Sequence, residues 1–318
     1  MITQLDTLQL PQLWCPFAPR VNPHAADAHQ GTIGWLERWG LGGRTRAERS
    51  SIAEVAYLAA RFHPDAPAHV LQLIADWYAW FFCQDDQCDN SDLGSDPVLL
   101  SSFHTTLLSI LRGATPMPEH GSLAFALHDL KLRCQELAST RWFEQLLAQI
   151  TEYFATMVWE ANNRRLGIMP SLDAYVRLRP VTGGLPIEHV FARLSCNVEL
   201  SQCTLYTPMV QQATMLADQV ICWVNDLLSL HKEVEQGDVH NLIIILQHES
   251  QLTQAAAIDR VVTMHNAAMH RFVELSSYIS TSPAYADAPM RSYIQTLQTR
   301  IAGHMDWAAA ALRYKPSA

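Results

Sequence analysis

The sequence predicts an all-α protein, and three observations support that prediction. Apolar residues recur at spacings of three and four along most of the 318-residue chain, which is the pattern of a helix with one buried face. The stretches between these segments are short and contain glycine or proline, which end helices. No segment alternates cleanly between apolar and polar residues as a half-buried strand does. We therefore expect a bundle of roughly ten helices in one domain, residues 1–318.

The chain is expected to begin with an irregular arm, residues 1–30, because this stretch is rich in proline and histidine. The helical pattern then starts, and its first break is His63-Pro64-Asp65. The later breaks, in order, are 113–121 with its two prolines, 167–171, 183–184 with its two glycines, and 281–289. Helices are predicted at 51–62, 67–83, 98–112, 121–138, 140–163, 186–201, 207–233, 239–247, 252–279 and 287–313.

Composition excludes several classes of function. The formal net charge of −9 gives no electrostatic support for nucleic-acid binding. The seven cysteines are scattered and odd in number, and no CxxC pair occurs, so we expect reduced thiols rather than a zinc site or a disulfide framework. The N-terminus lacks the pattern of a secretory signal, and no stretch reaches ~18 consecutive apolar residues. These features predict a cytoplasmic protein with no membrane span.

The first cluster of carboxylates closes an aromatic segment, WYAWFFCQDDQCDN, at residues 77–90. On a helix Asp85 and Asp89 share a face, and Asp86 adds a third charge within about one turn. Like charges repel there, and the helix dipole disfavours anions at a C-terminus. A bound hard cation removes both conflicts, because magnesium takes oxygen ligands. The alternative is a solvated acidic helix end, and the aromatic run before the cluster favours the metal site.

The second cluster lies on the segment VICWVNDLLSLHKE, residues 220–233. Asn225, Ser229 and Glu233 follow one another at intervals of four, so they drift by only ~80° around the helix over two turns. An amide, a hydroxyl and a carboxylate on one stripe suit a hard cation, and the adjacent Lys232 suits an anion. The alternative is an ordinary amphipathic helix with a polar face.

The two motifs together resemble those of class I terpene synthases. The DDQCD segment at 85–89 is similar to the aspartate-rich motif of that family, and NDLLSLHKE at 225–233 is similar to its second metal motif. Their order and wide separation match the bacterial members. The resemblance extends from the N-terminal Pro-Phe-Ala-Pro-Arg arm to Arg313-Tyr314, which resembles the terminal pair that binds diphosphate when the site closes.

A third match lies in the segment YVRLRPVTGG. Arg179 precedes Asn225 by 46 residues, the position at which the family has an arginine that senses the diphosphate. Thr182 and Gly183 then match the linker and effector positions of the helix break in the family. Pro180 departs from the pattern, since the family often has a second arginine there, and proline removes a backbone donor. Because Arg179 is retained, we expect the sensor to be retained as well.

The resemblance implies an all-α bundle that encloses an apolar active-site cavity and acts as a magnesium-dependent terpene cyclase. Such an enzyme ionises a prenyl diphosphate, and farnesyl diphosphate is the common substrate of bacterial members of this size. The carbocation then cyclises to a sesquiterpene hydrocarbon or alcohol, and diphosphate is released. Three Mg²⁺ ions are implied, which act as Lewis acids on the leaving group. Members of the family often pair, so a homodimer is a further expectation.

The same resemblance assigns roles to individual residues. Asp85 bridges two Mg²⁺ ions with help from Asp89, Asp86 accepts hydrogen bonds from basic side chains, and Asp226 supports the second motif. The third ion is held by Asn225, Ser229 and Glu233. The diphosphate accepts hydrogen bonds from Arg179, Lys232, Arg313 and Tyr314.

Carbocation chemistry further requires a dry cavity with aromatic walls, because water quenches cations and aromatic faces stabilise them. Phe81 and Phe82, just before the aspartates, and Trp307, before the terminal pair, are the predicted wall residues. Each has the alternative of being an ordinary core aromatic. Gly183 is predicted to turn its carbonyl towards the allylic cation, with a simple C-cap glycine as the alternative.

Four other functions are weighed against this one. A diterpene cyclase acting on geranylgeranyl diphosphate has the same motifs, and geranyl diphosphate is a third possible substrate. A chain-elongating prenyl transferase normally has a second aspartate-rich motif, which this chain lacks, and head-to-head coupling is disfavoured for the same reason. A non-enzymatic helical scaffold explains the periodicity but not the two metal stripes, the sensor arginine and the terminal pair.

Overall fold

A computed structural model describes residues 13–89, 91–196, 207–282, 285 and 287–310, without the side chains of residues 89, 92 and 310. Within these ranges the chain forms α-helices and two short 3-10 turns and no strand, so the predicted all-α class is confirmed. The helices are α1 Ala25–Trp39, α2 Arg46–Ala53, α3 Val55–Phe62, α4 Ala68–Asp89, α5 Pro97–Leu111, α6 Gly121–Leu137, α7 Thr140–Leu166, α8 Leu172–Thr182, α9 Leu185–Cys196, α10 Pro208–Gln236, α11 Leu242–Ser250, α12 Gln254–Thr281 and α13 Ala288–Ala310.

The predicted arm, residues 1–30, extends too far, because α1 begins at Ala25, and none of the predicted helices covers α1. The start of α1 is fixed by Asn22, which is buried. Its amide nitrogen donates to the carbonyl oxygens of His63 at 2.9 Å and Ala66 at 2.8 Å, and its amide oxygen accepts from the backbone N–H of His24 at 3.0 Å. The asparagine therefore ties the chain to the turn after α3, and the helix can begin just beyond it.

Two other predictions of elements were incomplete. The predicted helix 51–62 is two helices, α2 and α3, and α2 starts at a capping box in which Thr45 and Glu48 bond each other's backbone N–H groups. The segment that forms α8 was not predicted to be helical at all. Ser171 caps α8 by accepting from a backbone N–H of its first turn, and Pro180 is accommodated inside its last turn.

The apolar core has two large parts. One is built from α1 to α7 with α9, around the fully buried Trp77 and Trp80 of α4. The other is built from α8 and α10 to α13, around residues such as Phe272. A small third cluster joins them, because it brings Phe62 of α3 and Trp307 of α13 against α10. Val224, next to the second metal motif on α10, belongs to this third cluster, so the motif lies beside the contact between the two halves.

A buried ionic network also links the two halves. Arg300 of α13, 1% exposed, lies 3.7 Å from Glu188 of α9 and 3.5 Å from Asp218 of α10. Glu188 also contacts His63, which follows α3, at 3.1 Å, and Arg300 contacts His189 at 2.8 Å. Buried charges of this kind must be paired, so the network fixes how α3, α9, α10 and α13 meet.

No described helix combines the length and the apolar composition that crossing a bilayer requires.

Candidate active site

The first motif occupies the last turn of α4, whose rotation is set by a buried residue. Gln84, which precedes Asp85, is 0% exposed. Its amide nitrogen donates to Cys88 Sγ at 3.1 Å and lies 3.5 Å from Nε2 of His104 on α5. The His104 ring stacks on Phe154 of α7 at a centroid distance of 3.9 Å. This face of α4 is therefore fixed against α5 and α7.

Asp85 and Asp86 are half-buried at this helix end. The backbone of Asp89 completes α4, but its side chain lies outside the described residues. Among the described side chains, no three from His, Cys, Asp and Glu come together as a metal site. The second motif contributes one carboxylate, Glu233, with an amide and a hydroxyl. A shared metal cluster therefore stays a prediction.

The two aromatic residues before the aspartates differ in their surroundings. Phe81 stacks on Trp77 with centroids 5.6 Å apart and meets Trp80 and Tyr153 edge to face at 5.3 and 5.5 Å. Phe82 is half-buried beside the same part of the core. Phe81 thus lies inside an aromatic cluster that stiffens α4, and the predicted cavity role of both residues is untested.

The second motif forms a polar stripe on α10, as its spacing predicts. Ser229 Oγ donates to the Asn225 carbonyl oxygen at 2.8 Å. Glu233 accepts a hydrogen bond from Asn241 Nδ2 at 2.7 Å. Burial, and then the Asp226 carboxylate, raises the pKa of Glu233 to about 7. An added cation would relieve this repulsion, and the three oxygen donors suit a hard divalent ion, so the stripe fits the predicted metal.

Arg179 is held against the second motif by Asp226, which is 0% exposed. Arg179 Nε donates to Asp226 Oδ1 at 2.8 Å, and its NH2 donates to Asn225 Oδ1 at 2.7 Å. The other oxygen of Asp226 lies 2.8 Å from the Tyr175 hydroxyl and accepts from the Leu242 N–H at 3.2 Å. Burial opposes the charge on Arg179, but the Asp226 carboxylate outweighs it and raises the pKa of the guanidinium well above its ordinary value.

The predicted helix break follows Arg179 directly. Thr182 ends α8, and its hydroxyl donates to the Arg179 carbonyl oxygen at 3.3 Å. Gly183 caps the helix, and Gly184 has φ +73°, which favours glycine. A Cβ on Gly183 would lie 3.2 Å from Cys222 Sγ on α10. Glycine at 183 therefore allows α8 to approach α10 closely enough for the Arg179 contacts.

The structure thus brings together one set of the predicted residues: Arg179, Thr182, Gly183, Asn225, Asp226, Ser229 and Glu233. Lys232 is exposed on the same helix. Trp307 is buried beside Val224 and Leu228 of α10, which are neighbours of the stripe. Arg313 and Tyr314 lie outside the described residues.

Sequence reasoning missed four side chains around this set. Tyr175 bonds Asp226, and Asn241, which is 0% exposed, donates to both the Asp226 carbonyl oxygen and Glu233. The remaining two, Asp238 and His240, pair at 2.7 Å in the turn after α10. Two signals were available: Tyr175 precedes Arg179 by four residues, and Asn241 is an N-cap residue type just before α11.

Comparisons with known proteins agree with these motifs. Residues 76–271 match the family model described as terpene synthase family 2, C-terminal metal binding. A (+)-T-muurolol synthase of Roseiflexus castenholzii, whose name states that it cyclises (2E,6E)-farnesyl diphosphate, is 33% identical over 95% of this chain and 93% of its own length. A germacrene A synthase of Nostoc punctiforme is 32% identical over 98% of this chain and 96% of its own length.

Solved structures share the fold. The germacradien-4-ol synthase of Streptomyces citricolor superposes with a TM-score of 0.80 at 24% identity, over 93% of this chain and 99% of that one. A protein named SVS_A2, obtained by ancestral sequence reconstruction, superposes with a TM-score of 0.85 at 23% identity, over 97% of this chain and 92% of that one. At these identities the likeness shows a common helical architecture.

Proposed function

The chain belongs to terpene synthase family 2, a metal-binding family, and from this membership we propose that it cyclises (2E,6E)-farnesyl diphosphate to a sesquiterpene hydrocarbon or alcohol. It is a terpene synthase that acts on a prenyl diphosphate and depends on divalent metal. The choice of substrate is supported by the relative that is 33% identical over 95% of the chain and is named for cyclising farnesyl diphosphate. The observation that carries the mechanism is the contact of Arg179 with Asn225, which puts a fixed cation at the metal stripe.

We propose that the metal is Mg²⁺ and that three ions bind. Asn225, Ser229 and Glu233 would hold one, and Asp85 with Asp89 would hold the others. Oxygen donors are the ligands that Mg²⁺ prefers, and the raised pKa of Glu233 supports a cation at that stripe. When bound, the ions supply Lewis-acid neutralisation of the diphosphate as it leaves.

The protein's own cations complete the binding of the diphosphate in this proposal. Arg179 donates through its planar fork, which matches phosphate oxygens, and Lys232, Arg313 and Tyr314 add further donors. Asp226 holds Arg179 at Nε, NH2 of the guanidinium donates to Asn225 Oδ1 in the stripe, and NH1 lies 3.5 Å from the Thr182 hydroxyl. Asp86 accepts hydrogen bonds from basic side chains near the first motif.

The carbocation is then protected by side chains that exclude water. We assign this role to Phe81, Phe82 and Trp307, whose aromatic faces stabilise a cation without reacting with it. The carbonyl of Gly183, at the end of α8, is the proposed dipole for the allylic cation, with Thr182 linking it to Arg179.

The proposal also covers the location of the protein, its domain organisation and its oligomeric state. The protein is cytoplasmic, which the free thiols of the six described cysteines support. The whole chain forms one domain, and it pairs as a homodimer. Sedimentation of the purified protein tests directly whether it forms a homodimer.

Gas chromatography of the reaction products tests the function. Purified protein with Mg²⁺ is incubated with geranyl, farnesyl or geranylgeranyl diphosphate, each with and without isopentenyl diphosphate. A single cyclic C15 product from farnesyl diphosphate alone is expected, and a chelator should abolish it. Cyclic C10 or C20 products only would reassign the substrate, a longer linear prenyl alcohol after phosphatase treatment would indicate chain elongation, and no turnover of any substrate would contradict the proposal.

A further inference from the structure

One arginine contacts both segments that follow the metal motifs. Arg164 lies in the last turn of α7. Its Nε donates to the carbonyl oxygen of Gly94 at 3.1 Å, and its NH1 donates to Asp238 Oδ2 at 3.3 Å. Gly94 is five residues beyond Asp89, the end of the first motif, and Asp238 is five residues beyond Glu233, the end of the second.

Local hydrogen bonds join each contact to its motif. On the second side, the Asp238 N–H donates to the Glu233 carbonyl oxygen at 2.9 Å, in the turn that ends α10. On the first side, Ser91 Oγ donates to the carbonyl oxygen of Gln87, inside the motif, at 2.7 Å. Ser91 Oγ also accepts from the N–H of Leu93, next to Gly94, at 3.3 Å. Arg164 is thus connected to each motif through one short segment that is hydrogen-bonded to that motif.

Arg164 and Asp238 form an ion pair. Asp238 is partly buried, which opposes its ionisation, but its hydrogen bond with His240 and the charge of Arg164 outweigh burial and lower its pKa. The side chains of Arg164 and Asp238 are only 27% and 25% exposed. Glu160, one turn earlier on α7, lies 3.7 Å from the same guanidinium. Partly buried, multiply bonded pairs of this kind hold their geometry better than exposed ones.

We propose that Arg164 is a positioning residue that sets the separation between the ends of α4 and α10, and thereby couples metal binding at the two motifs. The inference rests on the proposed function, because it needs a metal cluster that both motifs share. Metals that bind both helix ends gain affinity when the ends are already placed, since less ordering then opposes binding. Arginine is required because two of its nitrogens contact different partners at once, whereas a lysine ammonium offers a single point charge.

The test compares Arg164→Ala with Arg165→Ala. Arg165 is the adjacent residue on the same helix turn and is exposed, so it controls for charge and helix propensity. Thermal melting is followed while Mg²⁺ is titrated in the presence of inorganic diphosphate. The Mg²⁺ concentration for half of the rise in Tm is expected to increase on the order of ten-fold in R164A and to stay unchanged in R165A. R164K should raise this Mg²⁺ midpoint less than R164A does, because lysine keeps the positive charge but cannot make both contacts.

A second variant covers the possibility that R164A folds poorly. Asp238→Asn removes the charged partner and leaves Arg164 in place, and it should raise the same Mg²⁺ midpoint. The double variant should raise the Mg²⁺ midpoint no further than R164A alone, because both changes remove the same contact, the one between Arg164 and Asp238. Hydrogen exchange without metal should be faster in both 91–96 and 237–241 in R164A.

The outcomes separate the two proposals. A wild-type protein whose Tm does not respond to Mg²⁺ and diphosphate would overturn the proposed metal site, and the coupling with it. A normal wild-type response with an unchanged midpoint in R164A and D238N would overturn the coupling alone. Loss of turnover in R164A at saturating Mg²⁺ with an unchanged midpoint would show instead that Arg164 acts on the substrate.

Discussion

At the scale of single residues, the Asp226 carboxylate organises the site. It accepts from Arg179, from the Tyr175 hydroxyl and from the N–H of Leu242, three groups that belong to α8 and to the start of α11. Its full burial makes each of these bonds stronger than it would be in water, and it makes an unpaired group more costly. The position of Arg179 therefore depends on one negative charge.

Asp226→Asn is expected to damage both stability and turnover. It keeps the shape of the side chain but leaves the Arg179 guanidinium buried without its counter-charge, which should lower the free energy of unfolding by ~3 kcal/mol. The control is Tyr175→Phe, which removes one neutral donor and should cost about 1 kcal/mol. Urea unfolding at pH 7 measures both. Equal losses in the two variants would show that the charge of Asp226 does not position Arg179.

The sequence predicts residues of this site when their relation is local. Asn225, Ser229 and Glu233 form a stripe because residues four apart share a helix face, and that part could be predicted. The partners of Asp226 could not, because they lie on other helices and only packing brings them to α10. The resemblance to a known family was needed to connect Arg179 with Asn225.

At the scale of elements, helix ends determine where the functional groups lie. The motif of α4 lies in its final turn, the break after α8 follows Arg179, and α10 ends three residues after Glu233. Gly183, which caps α8, packs against Cys222 of α10. A side chain there would separate α8 from α10.

Gly183→Ala is therefore expected to displace Arg179. Its Cβ would lie 3.2 Å from Cys222 Sγ, and relief of this contact should cost ~1–3 kcal/mol and reduce turnover. Gly34→Ala is the control, because Gly34 lies inside α1 with open space around its Cβ, and that change should stabilise slightly. The double variant with Cys222→Ala removes one of the three contacts at 3.2 Å, the others being to Arg179 O and Leu185 Cδ2, and should recover part of the activity. Full activity of the single variant would contradict the close approach.

The lowered pKa of Asp238, in the turn after α10, predicts that the stability of the fold depends on pH. Its pKa is lowered in the folded protein because its bonds to His240 and Arg164 outweigh burial. A lowered carboxyl pKa stabilises the fold above the unfolded pKa of ~3.9 and loses that effect as the pH falls through the folded value. Asp238→Asn should thus lower the free energy of unfolding by about 2 kcal/mol at pH 7.

The difference between wild type and D238N should shrink as the pH falls below ~4, measured by urea unfolding from pH 7 to pH 3. Asp173→Asn is the control, because Asp173 forms an exposed pair with Arg177 on α8. The control should change stability little at any pH. A D238N effect that does not vary with pH would show that the hydrogen-bond geometry, not the charge, matters.

Periodicity predicted most of the helices but missed α1 and α8. The segment 172–182 was missed because Pro180 and the glycines after it indicate a break, and the structure accommodates Pro180 within α8 while breaking only at 183–184. α1 was missed because the composition of 1–30 is typical of a loop. The buried side chain of Asn22 determines where this helix starts, and a single residue of this kind gives no periodic signal.

At the scale of the whole molecule, α10 belongs to the second core and reaches the first through Val224 and a buried ionic network. Arg300 links α13 to Glu188 of α9 and Asp218 of α10, and it lies 5.6 Å from the centroid of the Phe62 ring of α3. The two halves of the protein are thereby held in one arrangement. The placement of the first motif relative to the second depends on that arrangement.

Arg300→Leu is expected to destabilise the protein strongly. It removes the guanidinium beside the buried Glu188 and Asp218 and leaves His63 and His189 as their basic neighbours, which should cost ~3–5 kcal/mol. Arg271→Leu is the control, because Arg271 forms an exposed pair with Glu274 and should matter little. Chemical unfolding measures both. A loss below about 1 kcal/mol in R300L would contradict the structural role of the network.

The fold class could be predicted from the periodicity of the sequence, and the class of function from the resemblance of its motifs to those of a known family. The ionic network could not, since Glu188, Asp218 and Arg300 are separated along the chain and none has a motif. Such contacts are long-range, and a single sequence does not encode them in a local pattern.

The central claim is that α4 and α10 present oxygen ligands to one metal cluster beside Arg179. Anomalous scattering from crystals soaked with Mn²⁺ and inorganic diphosphate tests it most directly. We expect Mn²⁺ ions bound both by Asp85 and by the stripe of Asn225, Ser229 and Glu233, around one diphosphate that accepts from Arg179. Metal at only one of the two helices, or a diphosphate remote from Arg179, would contradict it.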